Sequence, residues 1–198
     1  MVDGDEILAV LALDLDARGH LAGRAVVSTV MANLGLRRAL AAHGIDFVET
    51  PVGDRYVRAA MDDRGLVLGG EQSGHIVHRA HATTGDGLLA AVLLMEELKR
   101  TSRSLADAAT VMTSYPQVLV NIRTNERVSN PAAEIEAEME ACESRLGDEG
   151  RILVRASGTE PLVRVMVEAA QDSVALSVAG ELSAAIIARF GGQIEGSH

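Results

Sequence analysis

Positions 155 to 161 read "RASGTEP", between a strand-like "RILVR" and a strand-like "LVRVMVEA". One tight turn therefore collects the Arg155 guanidinium, the Ser157 and Thr159 hydroxyls and the N–H groups of Gly158 and Thr159. These are groups that a phosphate takes: a planar cation and several short donors on a loop whose glycine admits a close approach. Arg164, just after "PLV", is a second cation that can fold back toward the turn. The alternative is a solvated hairpin turn, because Ser, Gly and Pro are ordinary turn residues.

A second dense polar loop, "GGEQSGH", occupies positions 69 to 75. Its carboxylate, amide, hydroxyl and imidazole suit the hydroxyls of a sugar, each of which needs both a donor and an acceptor. Glu71, Ser73 and His75 are the candidates, against a loop in which Glu71 and His75 satisfy each other or the backbone. His75, His78 and His81 lack carboxylate or cysteine co-ligands at metal-binding spacing, so His78 and His81 read as surface histidines. In "TPVGDRYV" Gly53 and Asp54 fall between a strand and a helix, where Asp54 reads as a cap and backbone donors can meet an anion. Thr84 or Asp86 of "TTGDG" and the "DGD" at positions 3 to 5 read as helix caps, with no chemistry assigned to either.

The composition narrows the partners. The 198 residues carry a formal net charge of −10 and only 2% aromatics with no Trp, which argues against nucleic acid on both electrostatic and stacking grounds. Cys142 is the single cysteine, so an internal disulfide is excluded and a reducing, cytoplasmic setting fits. No signal-type segment is visible, and the long apolar helix near residue 90 is interrupted by Glu96 and Glu97, so no membrane partner is expected.

The elements that must position these loops follow from periodicity. Up to about residue 112 helical and β-branched segments alternate, which predicts a layered α/β/α domain with a mixed sheet over residues 1–112. A helix from about Thr84 to Arg100 carries Leu88, Val92 and Met95 at i, i+4 and i+7, with Leu89 and Leu93 beside them, and this face is expected on the sheet. Around "TSYPQ" the pattern changes to a smaller α+β domain over residues 116–198, in the order β-α-β-β-α. Its sheet is expected to be rich in antiparallel pairs with both helices on one face, seated through Ile135, Met139, Cys142 and Leu146 and through Val174, Val178, Leu182 and Ile186.

Each motif is ambiguous alone, but "VVSTVMAN", "GDRYV", "GGEQSGH", "TGDG" and "RASGTEPLVRV", in this order over nearly the whole chain, resemble the α-D-phosphohexomutase superfamily. Within it they are most similar to the bacterial glucosamine-phosphate branch, with Gln72 where the mannose and glucose branches often carry Met and Ala32 where a serine is expected. Members have four domains, and the resemblance here is to the third and fourth. It implies that Glu71 and Ser73 grip sugar hydroxyls with His75 supporting the loop, and that Gly53 and Asp54 lie beside the substrate. It further implies that Arg155, Ser157, Gly158 and Thr159, with Arg164, hold the phosphate that does not react.

The same resemblance implies a phosphoserine enzyme, an Mg²⁺ ion, a hexosamine 1,6-bisphosphate intermediate and a phosphorylated hexosamine as substrate. The "TASHNP"-like and "DGDADR"-like stretches that carry the phosphoserine and the metal do not occur in these 198 residues. No catalytic or metal-binding residue is therefore assigned here, the missing N-terminal domains are expected partners, and the chain alone is expected to be inactive. A mannose- or glucose-phosphate mutase fragment, a non-catalytic phosphosugar-binding protein and an unrelated regulatory module remain the alternatives.

Overall fold

A computed structural model describes residues 2–197, and the chain divides into two compact units, Met1–Ser114 and Tyr115–His198, considered in turn. In the first, strands β1 (Ala25–Thr29), β2 (Asp46–Thr50), β3 (Leu68–Gly70) and β4 (Ile76–His78) lie in the order β2-β1-β3-β4. β1 is parallel to both β2 and β3, while β3 and β4 are antiparallel, so the sheet is mixed. The helices are α1 (Gly4–Ala17), α2 (Leu34–Ala42), α3 (Asp54–Arg64), α4 (Gly87–Thr101) and α5 (Leu105–Ala109).

Strand alternation gives this sheet two apolar faces, and helices cover both. Val26, Leu68 and Ile76 pack with Leu8, Leu11, Leu36 and Leu40 of α1 and α2. Val27, Val48 and Val77 point the other way, onto Val57 and Met61 of α3. The α1 start is a full capping box: the Asp3 carboxylate accepts from the N–H groups of Asp5 (3.0 Å) and Glu6 (3.2 Å), and Glu6 accepts from Asp3 N–H at 2.9 Å.

Two sequence expectations are corrected here. The α4 helix does not seat Leu88, Val92 and Met95, which are 83%, 56% and 59% exposed; Ala90, Leu94 and Glu97 face inward instead. At about 100° per residue the two sets lie on opposite sides of the helix. The cause is that α4 is apolar all round from Leu88 to Met95, and it packs on α1 through Leu94, beside Val10 and Ala108. His78 is not a surface residue: β4 places it opposite Leu68 and only 6% exposed, its ring 4.7 Å from that of His81. Burial, reinforced by His81, pushes its pKa down.

In the second unit β5 (Gln117–Arg123), α6 (Pro131–Glu134), α7 (Glu136–Leu146), β6 (Gly150–Ala156), β7 (Leu162–Ala169), α8 (Asp172–Phe190) and β8 (Gln193–Ser197) follow in order. The strands form a fully antiparallel sheet, β6-β7-β5-β8. Val118, Val120, Ile122, Val163, Val165 and Val167 meet Ile135, Cys142, Leu146, Val178, Leu182 and Ile186 in one core, so both helical stripes read from the sequence do face the sheet. The helix expected over 131–146 is broken at Ile135, where φ −127° and ψ 33° leave the helical region. β8 is an addition to the expected β-α-β-β-α order. α8, and not the helix near residue 90, is long and apolar enough to cross a membrane by length and composition; its Ala175, Val178, Leu182 and Ile186 are buried against the sheet.

Candidate functional site

In the first unit four loops meet at the C-terminal end of β3. Leaving that strand, the chain turns through residues 71–75 and closes on itself with Gly74 N–H to Glu71 C=O at 2.9 Å and Glu71 N–H to His75 C=O at 3.2 Å. The Glu71 carboxylate reaches sideways: its Oε1 accepts the Gly53 N–H at 3.1 Å. Glu71 is thus satisfied by the backbone of a second motif and not by His75, and its Oε2 has no protein partner among the described residues. Ser73 stands exposed at the tip of the loop.

Asp54 is not the cap of α3. Gly53 takes the cap position at φ +130°, a conformation that favours glycine, and Asp54 becomes the first helical residue. There its carboxylate adds to the favourable charge at the helix N-terminus and lies 3.8 Å from His75 Nε2, beyond hydrogen-bond range. His75 Nε2 is buried without a hydrogen-bond partner.

Two motifs read only as helix starts turn out to hold this loop. Asp86 caps α4 through the N–H groups of Leu88 and Leu89, and the preceding Gly85 lies against the His75 ring; a Cβ there would come within 2.4 Å of Nε2. Gly4, the first residue of α1, donates its N–H to Gln72 C=O at 3.0 Å, and the Gln72 amide reaches Asp3 Oδ2 at 3.4 Å. A Cβ on Gly4 would meet backbone atoms of Glu71, Gln72 and Gly74 at 2.4 to 2.7 Å. Below the loop, Ser28 donates to Gly70 C=O at 2.7 Å, and the buried Asp5 accepts from Asn33 N–H at 2.8 Å. Asp3, Gly4 and Gly85 were not singled out as site residues by their sequence; a glycine abutting a helix cap, in "DG" and in "GD", is the signal that marks such close approaches.

The second unit carries the other candidate loop, 157–161, between β6 and β7. Ser157 N–H to Leu162 C=O at 2.7 Å closes it, and the Ser157 hydroxyl lies 3.5 and 3.4 Å from the N–H groups of Thr159 and Glu160. That much describes a hairpin turn. The strand register supplies more: Arg155 and Arg164 are directly opposed, whereas four residues back on the same face Arg151 opposes Glu168 and bonds it at 2.9 Å. Neither Arg155 nor Arg164 forms an ion pair among the described residues. Burial, and then the charge of Arg164, push the Arg155 pKa down.

Glu160, the loop's own carboxylate, is 3.9 Å from Arg123, which is itself held by Glu195 through two 2.9 Å hydrogen bonds. Arg127, absent from the sequence-based set, donates to Thr159 C=O and braces the loop from the segment after β5. Two cations facing each other beside exposed donors are an arrangement whose repulsion a dianion would relieve. No group of three or more His, Cys, Asp or Glu side chains among the described residues can hold a metal ion.

Comparison with known proteins follows the two units. Residues 3–115 match the family model "Phosphoglucomutase/phosphomannomutase, alpha/beta/alpha domain III", and residues 119–185 match "Phosphoglucomutase/phosphomannomutase, C-terminal domain". The chain is 54% identical over 192 residues to a phosphoglucosamine mutase of Clavibacter sepedonicus, covering 96% of this chain and 42% of that protein. It is 53% identical over 183 residues to a phosphoglucosamine mutase of Salinispora arenicola, covering 92% and 41%. The chain thus spans well under half the length of these relatives. Among solved structures it resembles Aspergillus fumigatus N-acetylphosphoglucosamine mutase in complex with GlcNAc-6P and magnesium, at TM-score 0.76 and 22% identity, covering 93% of this chain and 47% of that one. A phosphoglucomutase/phosphomannomutase family protein of Burkholderia thailandensis gives TM-score 0.74 and 19% identity, covering 98% and 44%. At these identities the structural likeness concerns the fold alone.

Proposed function

Because this chain belongs to the phosphoglucomutase/phosphomannomutase family, as its third and fourth domains, we propose that it is the substrate-recognition half of a phosphoglucosamine mutase. The reaction is the interconversion of glucosamine 6-phosphate and glucosamine 1-phosphate through a phosphoserine and a 1,6-bisphosphate. The observation that carries the reading is the uncompensated Arg155–Arg164 pair beside the Ser157–Thr159 turn.

In this reading Arg155 and Arg164 neutralise the phosphate that stays, and Gly158 N–H, Thr159 N–H and the two hydroxyls donate to its oxygens. Glu71 Oε2 accepts from a sugar hydroxyl while Gly53 fixes its other oxygen, Ser73 supplies an exchangeable donor and acceptor, and His75, wedged on Gly85, holds the loop's shape. Asp54 lies at the edge of the same loop cluster. The same groups serve both orientations of a bisphosphate, since each phosphate in turn must occupy the non-reacting position.

The sequence lacks the stretches that would carry a phosphoserine and a metal in this reading. Charge stabilisation of the transferring group must come from residues outside these 198. The expected result is binding of glucosamine 6-phosphate by calorimetry, dependent on Arg155, without conversion when Mg²⁺ and glucosamine 1,6-bisphosphate are added. Turnover by the purified chain, or an affinity indifferent to Arg155→Ala, overturns the proposal.

A further inference from the structure

The α4 helix has an inward apolar face, Ala90 and Leu94, and an outward one, Leu88, Val92 and Met95, and a helix apolar on both sides belongs between two layers. Among the described residues of this unit one layer is present, with α1 and the sheet inside, and none of them covers the outer stripe. Three large apolar side chains in one row, at 83%, 56% and 59% exposure, mark a contact surface and not scattered surface hydrophobics.

Two observations identify the occupant. In the relatives, the region matched by this chain is only about 42% of the protein, and the family models matched are the third and C-terminal domains, so most of the remaining polypeptide precedes it. That polypeptide would arrive at Asp3, which is tied to Gln72 in the 71–75 loop, and Gly85 at the start of α4 is packed on His75 of the same loop. The stripe therefore begins, at Leu88, at the end of the unit where the preceding chain enters.

We propose that Leu88, Val92 and Met95 form the docking face for the polypeptide that precedes the third domain in this family's longer chains. The inference rests on family membership and not on the phosphosugar assignment, so either can fail without the other.

The test is cysteine accessibility. Val92→Cys and Met95→Cys are labelled with a maleimide in the 198-residue chain and in a fusion carrying, ahead of residue 3, the N-terminal part of the Clavibacter sepedonicus relative. Leu176→Cys, on the exposed side of α8, is the control, and the buried native Cys142 reports that the fold is intact. Labelling at 92 and 95 is expected to slow by about 100-fold or more in the fusion, as for a site that reacts only through local opening, with no change at 176. Should the fusion expose Cys142, the aligned positions of the intact Clavibacter protein replace it, with the same expectation. Equal labelling of both forms overturns the proposal. Protection already present in the 198-residue chain and rising with its concentration assigns the stripe to a second copy and overturns it equally.

Discussion

Arg155 and Arg164 face one another across β6 and β7 with no ion-paired carboxylate among the described residues, whereas Arg151 and Glu168, on the same two strands and the same face, form a buried pair. Like charges directly opposed on antiparallel strands destabilise the sheet. A dianion bound between them would offset that cost.

The first prediction follows from that cost. In phosphate-free buffer Arg164→Ala should melt at or above the wild-type temperature, since it removes repulsion. Its affinity for inorganic phosphate should fall by about 10- to 150-fold, the equivalent of about 1.5–3 kcal/mol for a charge-assisted hydrogen bond. Scanning calorimetry at rising phosphate reads both effects, because ligand stabilisation scales with concentration over Kd. Identical phosphate-induced shifts in variant and wild type would show that the pair binds something else or nothing.

The second concerns the contact between Gly4 and the 71–75 loop. Gly4→Ala puts a methyl 2.4 to 2.7 Å from three backbone atoms, so the loop must move. The variant should be less stable by about 1–3 kcal/mol, typical of overpacking, and the amide resonances of Gln72 and Gly74 should shift. Urea denaturation and ¹⁵N–¹H spectra measure the two consequences, and unchanged loop resonances would refute the coupling.

The third uses the compensated pair. Arg151→Leu leaves Glu168, fully buried, without its guanidinium and should cost about 3–5 kcal/mol. Adding Glu168→Leu should recover most of that loss, because two apolar side chains replace two charges. A double variant as unstable as the single one would mean that packing, and not the stranded charge, dominates the effect.

The fourth is a pH dependence. His78 has a folded-state pKa below its unfolded value because it is buried, so its neutral form is favoured in the fold. The unfolded chain therefore binds the proton first as pH falls, and the stabilisation present above the ordinary histidine value of about 6.5 is lost as pH drops through it toward the lowered folded value. Comparing wild type with His78→Gln by urea midpoints at pH 7.5 and at mildly acidic pH should show the larger acid-induced loss in the wild type. Parallel losses would place the acid sensitivity elsewhere.

Much of the architecture was legible in the residue pattern because it rests on period-two and 3.6-residue repeats that a single stripe of side chains can satisfy. The α8 stripe, from Val178 to Ile186, is such a case. The α4 helix was misread for the converse reason: with apolar residues on all sides its periodicity carries no phase, and packing of Leu94 on α1 chooses the inner face. β8 was invisible because "QIEGS" has no alternation, and its partner β5 lies some 70 residues earlier across a register shift between Asn121 and Ile122. In the candidate site, residue types singled out Glu71 and Arg155 as candidates, whereas Gly85, Gly4 and Arg127 enter through contacts that only the folded chain creates.

The β8 strand also bears on handling of the protein. In the order β6-β7-β5-β8 it pairs the outer side of β5, whose alternating Val118, Val120 and Ile122 would otherwise end in a row of unpaired backbone groups. A truncation at residue 192 would open a hydrophobic strand edge to intermolecular pairing, the usual first step toward aggregation. Residues 193–197 thus act as a selvedge for the sheet, and any tag or fusion at this end should leave their pairing with β5 intact.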